Sequence, residues 1–392
     1  MNENFVFKVA DSIREAIGAK KAALHEPIFS GNEIAYLKDC IDSTYVSSVG
    51  SFVDRFEEQL VTYTGAKYAV AVVNGTAALH VGLKILGVKE GSEVLLPALT
   101  FVATANAIRY CGGNPHFVDS DADTLGIDIQ KLRKYLDQNT KQINGKCVNK
   151  NTGCIVQALI AVHVFGHMAK VEEINQLARD YNIALLEDAA GALGSFYKGQ
   201  HAGSFGRVGI ISFNGNKTIT TGGGGIILTN DERLAAEAKH LSTTAKMAHQ
   251  WDYIHDQVGF NYRLPNLNAA LGCAQMENLS KFRNAKRSLF QNYEKAFSNI
   301  KGASVFREPL AAESNYWLQA IVLDSSHIQF RDEILKKTNE VGLMTRPVWK
   351  LLNSLVPYQK FQTMNLSGAD QISRSVINVP STPKLTSSCM NN

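Results

Sequence analysis

Apolar positions recur along this chain with two different periods. Phe52, Phe56, Leu60 and Tyr63 follow helical spacing, so residues 51–63 read as an amphipathic helix, as do residues 32–42. Short apolar runs then alternate with helical patterns. Strands are predicted at Tyr68–Val73, Glu93–Leu96, His116–Asp119, Ile155–Val162 and Ile183–Glu187, with helices at Thr76–Leu86, Val102–Tyr110 and Val171–Tyr181. This βαβα order predicts an α/β fold with a mostly parallel sheet covered on both faces. Ile210–Phe213 and Gly225–Thr229 add two further strands. Near residue 280 the pattern changes to a charged helix at Lys281–Ser298, an apolar stretch at Tyr316–Leu323, a helix around Phe330–Val341 and a short strand at Ile377–Pro380. The expected organisation is a large domain over 1–279, including an N-terminal helical segment, and a smaller C-terminal α+β domain over 280–392. The polar, Asn- and Lys-rich stretch Asp137–Thr152 reads as an exposed loop.

The most informative run is 211–225, Ile-Ser-Phe-Asn-Gly-Asn-Lys-Thr-Ile-Thr-Thr-Gly-Gly-Gly-Gly. A lone lysine, Lys217, lies between a strand end and glycines, whose backbone can approach a ligand closely. Upstream, Asp188 ends a buried strand, where a carboxylate needs a partner. A lysine and an aspartate at two strand ends suggest a pyridoxal phosphate site, the lysine as Schiff base and the aspartate against the pyridinium nitrogen. For Asp188 an N-cap role in the following turn is the alternative. Asn74-Gly75-Thr76-Ala77 opens a helix after a strand, and so reads as a phosphate site or as an ordinary turn with Thr76 near the N-cap. Phe101 follows a strand end, where it could stack on a planar ring or belong to the core. Arg346, Trp349 and Lys350 suit a pyrophosphate and a ring, or make up a surface turn.

Other chemistries find less support. His163 and His167 are four apart, but Gly166 intervenes and His163 ends a strand, so no helical zinc site is expected; His163 is kept as a pocket-lining candidate. No dinucleotide fingerprint, P-loop or nucleophile elbow is present. The 392 residues are 45% hydrophobic and carry a net charge of only +4 without blocks of like charge, which argues against nucleic-acid binding. There is neither a signal-peptide pattern nor an apolar run of membrane-spanning length, so a cytoplasmic protein is expected. The six scattered cysteines read as reduced thiols.

In order along the chain stand Gly75-Thr76-Ala77-Ala78, Thr100-Phe101-Val102-Ala103-Thr104, Glu187-Asp188-Ala189-Ala190, Ser212-Phe213 with Lys217, and Asn261-Tyr262-Arg263. This set resembles the DegT/DnrJ/EryC1/StrS family of sugar aminotransferases from about Pro27 to Pro380. The resemblance implies a fold-type-I aminotransferase and a homodimer with shared active sites. It implies Lys217 as the Schiff-base lysine, Asp188 on the pyridine nitrogen and Phe101 on the ring. Gly75, Thr76 and Ser212 would hold the phosphate, with Asn261 reaching it from the neighbouring subunit. Two positions depart from the family pattern: Gly191 where many members carry Gln, and Gly223 where many carry Glu. Asn214-Gly215-Asn216 and the run from Met344 to Lys350 resemble a subgroup acting on UDP-4-keto-6-deoxy-N-acetylhexosamine.

The implied reaction is ping-pong, with glutamate as donor and a 4-keto sugar nucleotide as acceptor. Lys217 must be neutral to move protons, so burial and nearby positive charge are expected to lower its pKa. A dehydratase on the same fold would carry histidine in place of Lys217. A non-catalytic relative would have no physical need of Lys217, Asp188 and Ser212 together.

Overall fold

Seven strands form the central sheet of the computed structural model, which describes residues 2–386. Three helices come first: α1 (Asn2–Ile17), α2 (Glu33–Asp42) and α3 (Ser51–Thr64). Then β1 (Tyr68–Val72) leads into α4 (Gly75–Ile85), β2 (Glu93–Pro97) into α5 (Val102–Tyr110), and β3 (Asn114–Val118) into α6 (Ile129–Asn139). A hairpin of β4 (Thr140–Ile143) and β5 (Lys146–Asn149) precedes β6 (Val156–Val162), α7 (Val171–Asp180) and β7 (Ala184–Asp188). The short pair β8 (Phe196–Tyr197) and β9 (Gln200–His201) is followed by β10 (Val208–Ser212) and β11 (Gly225–Thr229). Helices α8 (Glu232–Ser242), α9 (Asn266–Glu277) and α10 (Leu279–Phe297) come next. The chain continues with β12 (Ala303–Val305), β13 (Ala312–Glu313), β14 (Gln319–Leu323), α11 (Arg331–Glu340), β15 (Arg346–Pro347), α12 (Ser367–Ser375) and β16 (Val376–Val379).

The large sheet has the order β1-β11-β10-β7-β6-β2-β3. Strands β10, β7, β6, β2 and β3 are mutually parallel. Only β11 runs the other way, between β1 and β10. Alternation along β6 explains why the sheet is covered twice: Ala158, Ile160 and Val162 enter one core cluster, while Leu159 and Ala161 enter another. The expected α/β architecture with a mixed, mostly parallel sheet is what the chain adopts. The carboxyl ends of β1, β2, β6, β7 and β10 lie along one edge, where open α/β sheets bind ligands.

The C-terminal part builds a second, antiparallel sheet, β12-β14-β16-β15. Helix α1 packs there and not on the large sheet. Its stripe Val6, Val9, Ile13 and Ile17 meets Leu289 and Tyr293 of α10, Ile321 of β14 and Ile377 of β16. Helix α1 thus docks on the C-terminal unit, whereas α2 packs on α9 and α3 on α9 and β1. The two parts are also tied through Asp119, at the end of β3. Its carboxylate accepts from the N–H groups of Gly368 and Ala369 at 3.0 and 2.7 Å, capping α12, and from Lys131 Nζ at 2.6 Å.

The stretch 137–152 is largely exposed, as expected, but it folds as a hairpin where a loop was expected. Asn144 and Gly145 take φ of 50° and 72°, the two positive values a tight hairpin turn needs. Cys147, Val148 and Asn149 are buried. Asn149 Nδ2 donates to Glu93 Oε2 at 2.9 Å, and Thr152 Oγ1 donates to Oε1 of the same residue. Polar composition hid the hairpin: residues 141–146 do face solvent, but Asn149 and Thr152 bond a buried carboxylate. The five described cysteines are free thiols, four of them buried; Cys389 lies outside the described residues. Among the described residues no helix is long and apolar enough to cross a membrane.

Candidate active site

A cavity of about 660 Å³ opens at the carboxyl edge of the large sheet, a volume suited to a cofactor with substrate. Gly75, Thr76, Thr100, Phe101, His163, Asp188, Ser212, Lys217, Arg346 and Trp349 all line it.

One end of the cavity is built for an anion. Asn74, not Thr76, is the N-cap of α4: its backbone is extended and its side chain accepts from the Ala77 N–H at 2.8 Å. Gly75 and Thr76 therefore present the first turn of a buried helix, its positive end, to the cavity. A Cβ on Gly75 would lie 2.8 Å from Ser212 Cβ and 3.0 Å from Ser212 Oγ. Glycine at 75 is what lets the Ser212 hydroxyl approach that helix end.

The middle of the cavity holds the opposite charges. Asp188, at the end of β7, is buried; its Oδ2 accepts from Thr104 Oγ1 at 2.8 Å and its Oδ1 from the Ala190 N–H at 3.2 Å. Burial raises its pKa, opposed by those two donors and by Lys217 and His163. Lys217 is half-buried as a residue, but its amino group is enclosed. Burial pushes that amine down to about 8, against the pull of Asp188. The lowering expected from sequence is present, but its electrostatic neighbour is negative where positive charge was expected. Lys217 rides on a tight loop after β10, in which its own N–H donates to Asn214 O and Phe213 N–H to Gly224 O.

His163 is committed elsewhere. Its Nε2 donates to Glu187 Oε2 at 2.9 Å and its Nδ1 accepts from the Ala169 N–H at 3.2 Å. Glu187 also accepts from the N–H groups of Gly203, Phe205 and Gly206. His163 lines the cavity, but neither ring nitrogen is left to bind a substrate.

The family model of the DegT/DnrJ/EryC1/StrS aminotransferase family matches residues 27–392. The chain belongs to this family. It is 35% identical to GDP-perosamine synthase of Escherichia coli O157:H7 over 94% of this chain and 95% of the relative. It is 39% identical to EpsN of Bacillus subtilis, provisionally named as a pyridoxal phosphate-dependent aminotransferase, over 86% of this chain and 83% of the relative. In fold it matches the aminotransferase TlmJ of Streptoalloteichus hindustanus with a TM-score of 0.84 at 24% identity, covering 94% of this chain and 95% of the other. As in the rest of the DegT/DnrJ/EryC1/StrS family, the cofactor is pyridoxal phosphate. The donor set fits it: an anion-binding helix end at Gly75, a buried carboxylate, and an enclosed amine of lowered pKa.

The strand ends and loops of the large sheet make one wall of this cavity. The other comes from the C-terminal part. Trp349 lies 4.8 Å from Phe165 and 6.3 Å from Phe101, ring centre to ring centre, making an aromatic wall. Phe101 itself is 55% exposed, so it stands free to face a ring and is no core residue. Arg346 Nη1 donates to Asn339 Oδ1 and Thr345 O at 3.0 and 2.9 Å. Lys350 is exposed and does not reach the cavity lining. Asn261 is exposed too; its Oδ1 accepts from Arg263, and it lies outside the lining of its own chain's cavity.

Sequence reasoning missed Thr104, Asn378 and Trp317. Thr104 stood inside a quoted motif, four residues after Thr100, but nothing local pointed it at Asp188, 84 residues later. Trp317 carried no signal, because it arrives from a hundred residues beyond Lys217. The two family departures separate physically. A Cβ at 191 would lie 2.3 Å from Trp317 Cε3, whereas one at 223 would meet nothing closer than Val73 O at 3.6 Å.

Proposed function

We propose that the protein transfers the amino group of glutamate to the C4 keto carbon of a sugar nucleotide, with UDP-4-keto-6-deoxy-N-acetylhexosamine as the first candidate. The observation that carries this reading is the meeting of Lys217 and Asp188 in one cavity with an anion-binding helix end on one side and Arg346 and Trp349 on the other. Pyridoxal phosphate, when bound, supplies an electron sink for the carbon that loses or gains a proton. Gly75, Thr76 and Ser212 would hold its phosphate, Phe101 would cover its ring, and Asp188 would keep its ring nitrogen protonated. Lys217 would hold the cofactor between turnovers and, once released, carry the proton; an amine with a pKa of about 8 can both take and return a proton near neutrality. Arg346 would meet the pyrophosphate and Trp349 the sugar or base.

The nucleotide choice rests on resemblance at Asn214–Asn216 and Met344–Lys350. A GDP-linked keto sugar is the second reading, favoured by the relative named GDP-perosamine synthase. We further propose a homodimer in which Asn261 serves the neighbouring cavity. Its exposure outside its own cavity supports this, as do the exposed Phe29, Ile34, Tyr45 and Val49, apolar side chains that a partner would cover. A cytoplasmic place in surface polysaccharide or glycan sugar biosynthesis follows from the same reading.

The test is the visible absorption of the protein loaded with cofactor, before and after glutamate, beside Lys217→Ala. The expected result is a band that glutamate abolishes in the native protein, that the variant lacks, and that a UDP- or GDP-linked 4-keto sugar restores. A band indifferent to amino donors would sink the aminotransferase reading.

A further inference from the structure

Trp317 contacts both the lysine and the unusual glycine. The indole fills the space beside Gly191: a Cβ there would stand 2.3 Å from Cε3 and 2.8 Å from Cζ3. On the same ring, Lys217 Nζ lies 3.5 Å from the centroid, close enough for the ring's quadrupole to act on it. The indole is not free to turn away. Its Nε1 donates to Asn216 O at 2.6 Å, its backbone N–H donates to Asn315 Oδ1 at 2.8 Å, and its carbonyl accepts from the buried Lys286 Nζ at 3.0 Å. Asn315 closes the loop by donating to Gly191 O at 2.9 Å and to Thr218 Oγ1 at 3.1 Å. Gly191, Trp317 and Lys217 therefore form one packed unit, braced from the C-terminal part of the chain.

We propose that Trp317 is a positioning residue for Lys217: it seats the lysine amine on its indole face, and this seating requires glycine at 191. A lysine stem has four rotatable carbons and would otherwise place its amine loosely. The ring also shields the amine from water. Shielding favours the neutral amine and the ring quadrupole the charged one; burial is the first cause of the amine's lowering to about 8. The other titratable groups coupled to Lys217 are Asp188 on β7, which opposes this lowering, and His25 in the N-terminal segment, whose own pKa Lys217 lowers. The inference rests on Lys217 being the lysine that carries the cofactor.

The experiment uses cofactor-free full-length protein, labelled with an amine-selective reagent over a pH series, with Lys217 read by mass spectrometry. Native protein should label Lys217 with a midpoint near 8, and Trp317→Ala should move it up toward the ordinary 10.5, while Trp317→Phe stays near the native value. In the same set, Gly191→Ala should lower the melting temperature in the native background and much less beside Trp317→Ala. A folded Trp317→Ala with an unmoved midpoint overturns the proposal, as does a Gly191→Ala cost that ignores Trp317. Should Trp317→Ala not fold, Gly191→Ala alone must change the Lys217 midpoint by displacing the ring, and no change overturns the proposal. A Lys217→Ala protein that keeps the cofactor's visible band would instead refute the role of Lys217 itself. Loss of that band with indifferent Trp317 variants would refute only the seating by Trp317.

Discussion

Thr104 donates its hydroxyl proton to Oδ2 of Asp188 at 2.8 Å, and Thr100 Oγ1 lies 3.1 Å behind it. Two threonines one helical turn apart thus form a hydroxyl relay that orients the carboxylate while it stays buried. With Ala190 N–H on Oδ1, each oxygen keeps only one protein partner and can accept one from the cavity.

Asp188→Asn should therefore weaken cofactor binding by about 10- to 100-fold, the value of a charge-assisted hydrogen bond of roughly 1.5–3 kcal/mol. The same change should raise the melting temperature of the cofactor-free protein. The sign follows from the raised pKa: folding disfavours the ionised carboxylate, so its contribution to stability is present below the ordinary 3.8 and lost as pH rises through the higher folded value, and above that value the charge is a cost. Equilibrium titration with the cofactor and a thermal melt without it check the two halves.

Glu187 gathers four donors with no solvent, so Glu187→Ala should cost about 3 kcal/mol or more by leaving buried N–H groups unpaired. His163→Ala should lose part of that stability but leave the sugar-nucleotide KM within about threefold, because its ring nitrogens face the protein. Urea denaturation and steady-state kinetics separate these outcomes; a large rise in KM alone would restore His163 as a substrate contact.

His167 is fully buried between Phe306 and Tyr316, and among the described residues neither ring nitrogen has a hydrogen-bond partner. Burial pushes its pKa down to about 3, and that of His201 to about 4. Each folded value lies below the ordinary 6.5, so the unfolded chain binds the extra protons, and stability should fall as pH drops from about 6.5 toward 4. His167→Phe should flatten that slope in urea midpoints measured between pH 7 and 4.5. An unchanged slope would remove His167 as a source.

Gly223→Glu should be nearly silent in thermal stability, within about 0.5 kcal/mol, since a side chain there meets only Val73 O at 3.6 Å. Gly191→Gln should cost about 1–3 kcal/mol or more by overpacking against Trp317. Parallel melts of the two variants test whether one departure is built in and the other merely permitted.

The halves of the site differ in how far they could be read. Lys217, Asp188, Gly75 and Ser212 sit on strand ends and a helix start that apolar runs and glycines mark locally, and the cavity brings them together. Trp317, Asn315 and Asn378 reach the same place only through the packing of a later unit against the sheet, which no local period encodes. The hairpin at 140–149 was missed for a related reason: its last residue, Asn149, answers Glu93, some fifty positions earlier. Asn144-Gly145 was the one local sign of it.

The docking of α1 has a consequence for synthesis. Helix α1 is synthesised well before Tyr293, Ile321 and Ile377, against which its apolar stripe lies. Until they emerge, Val6, Val9 and Ile13 lack this native cover, and the nascent protein carries a sticky helix that chaperones or its neighbours can engage.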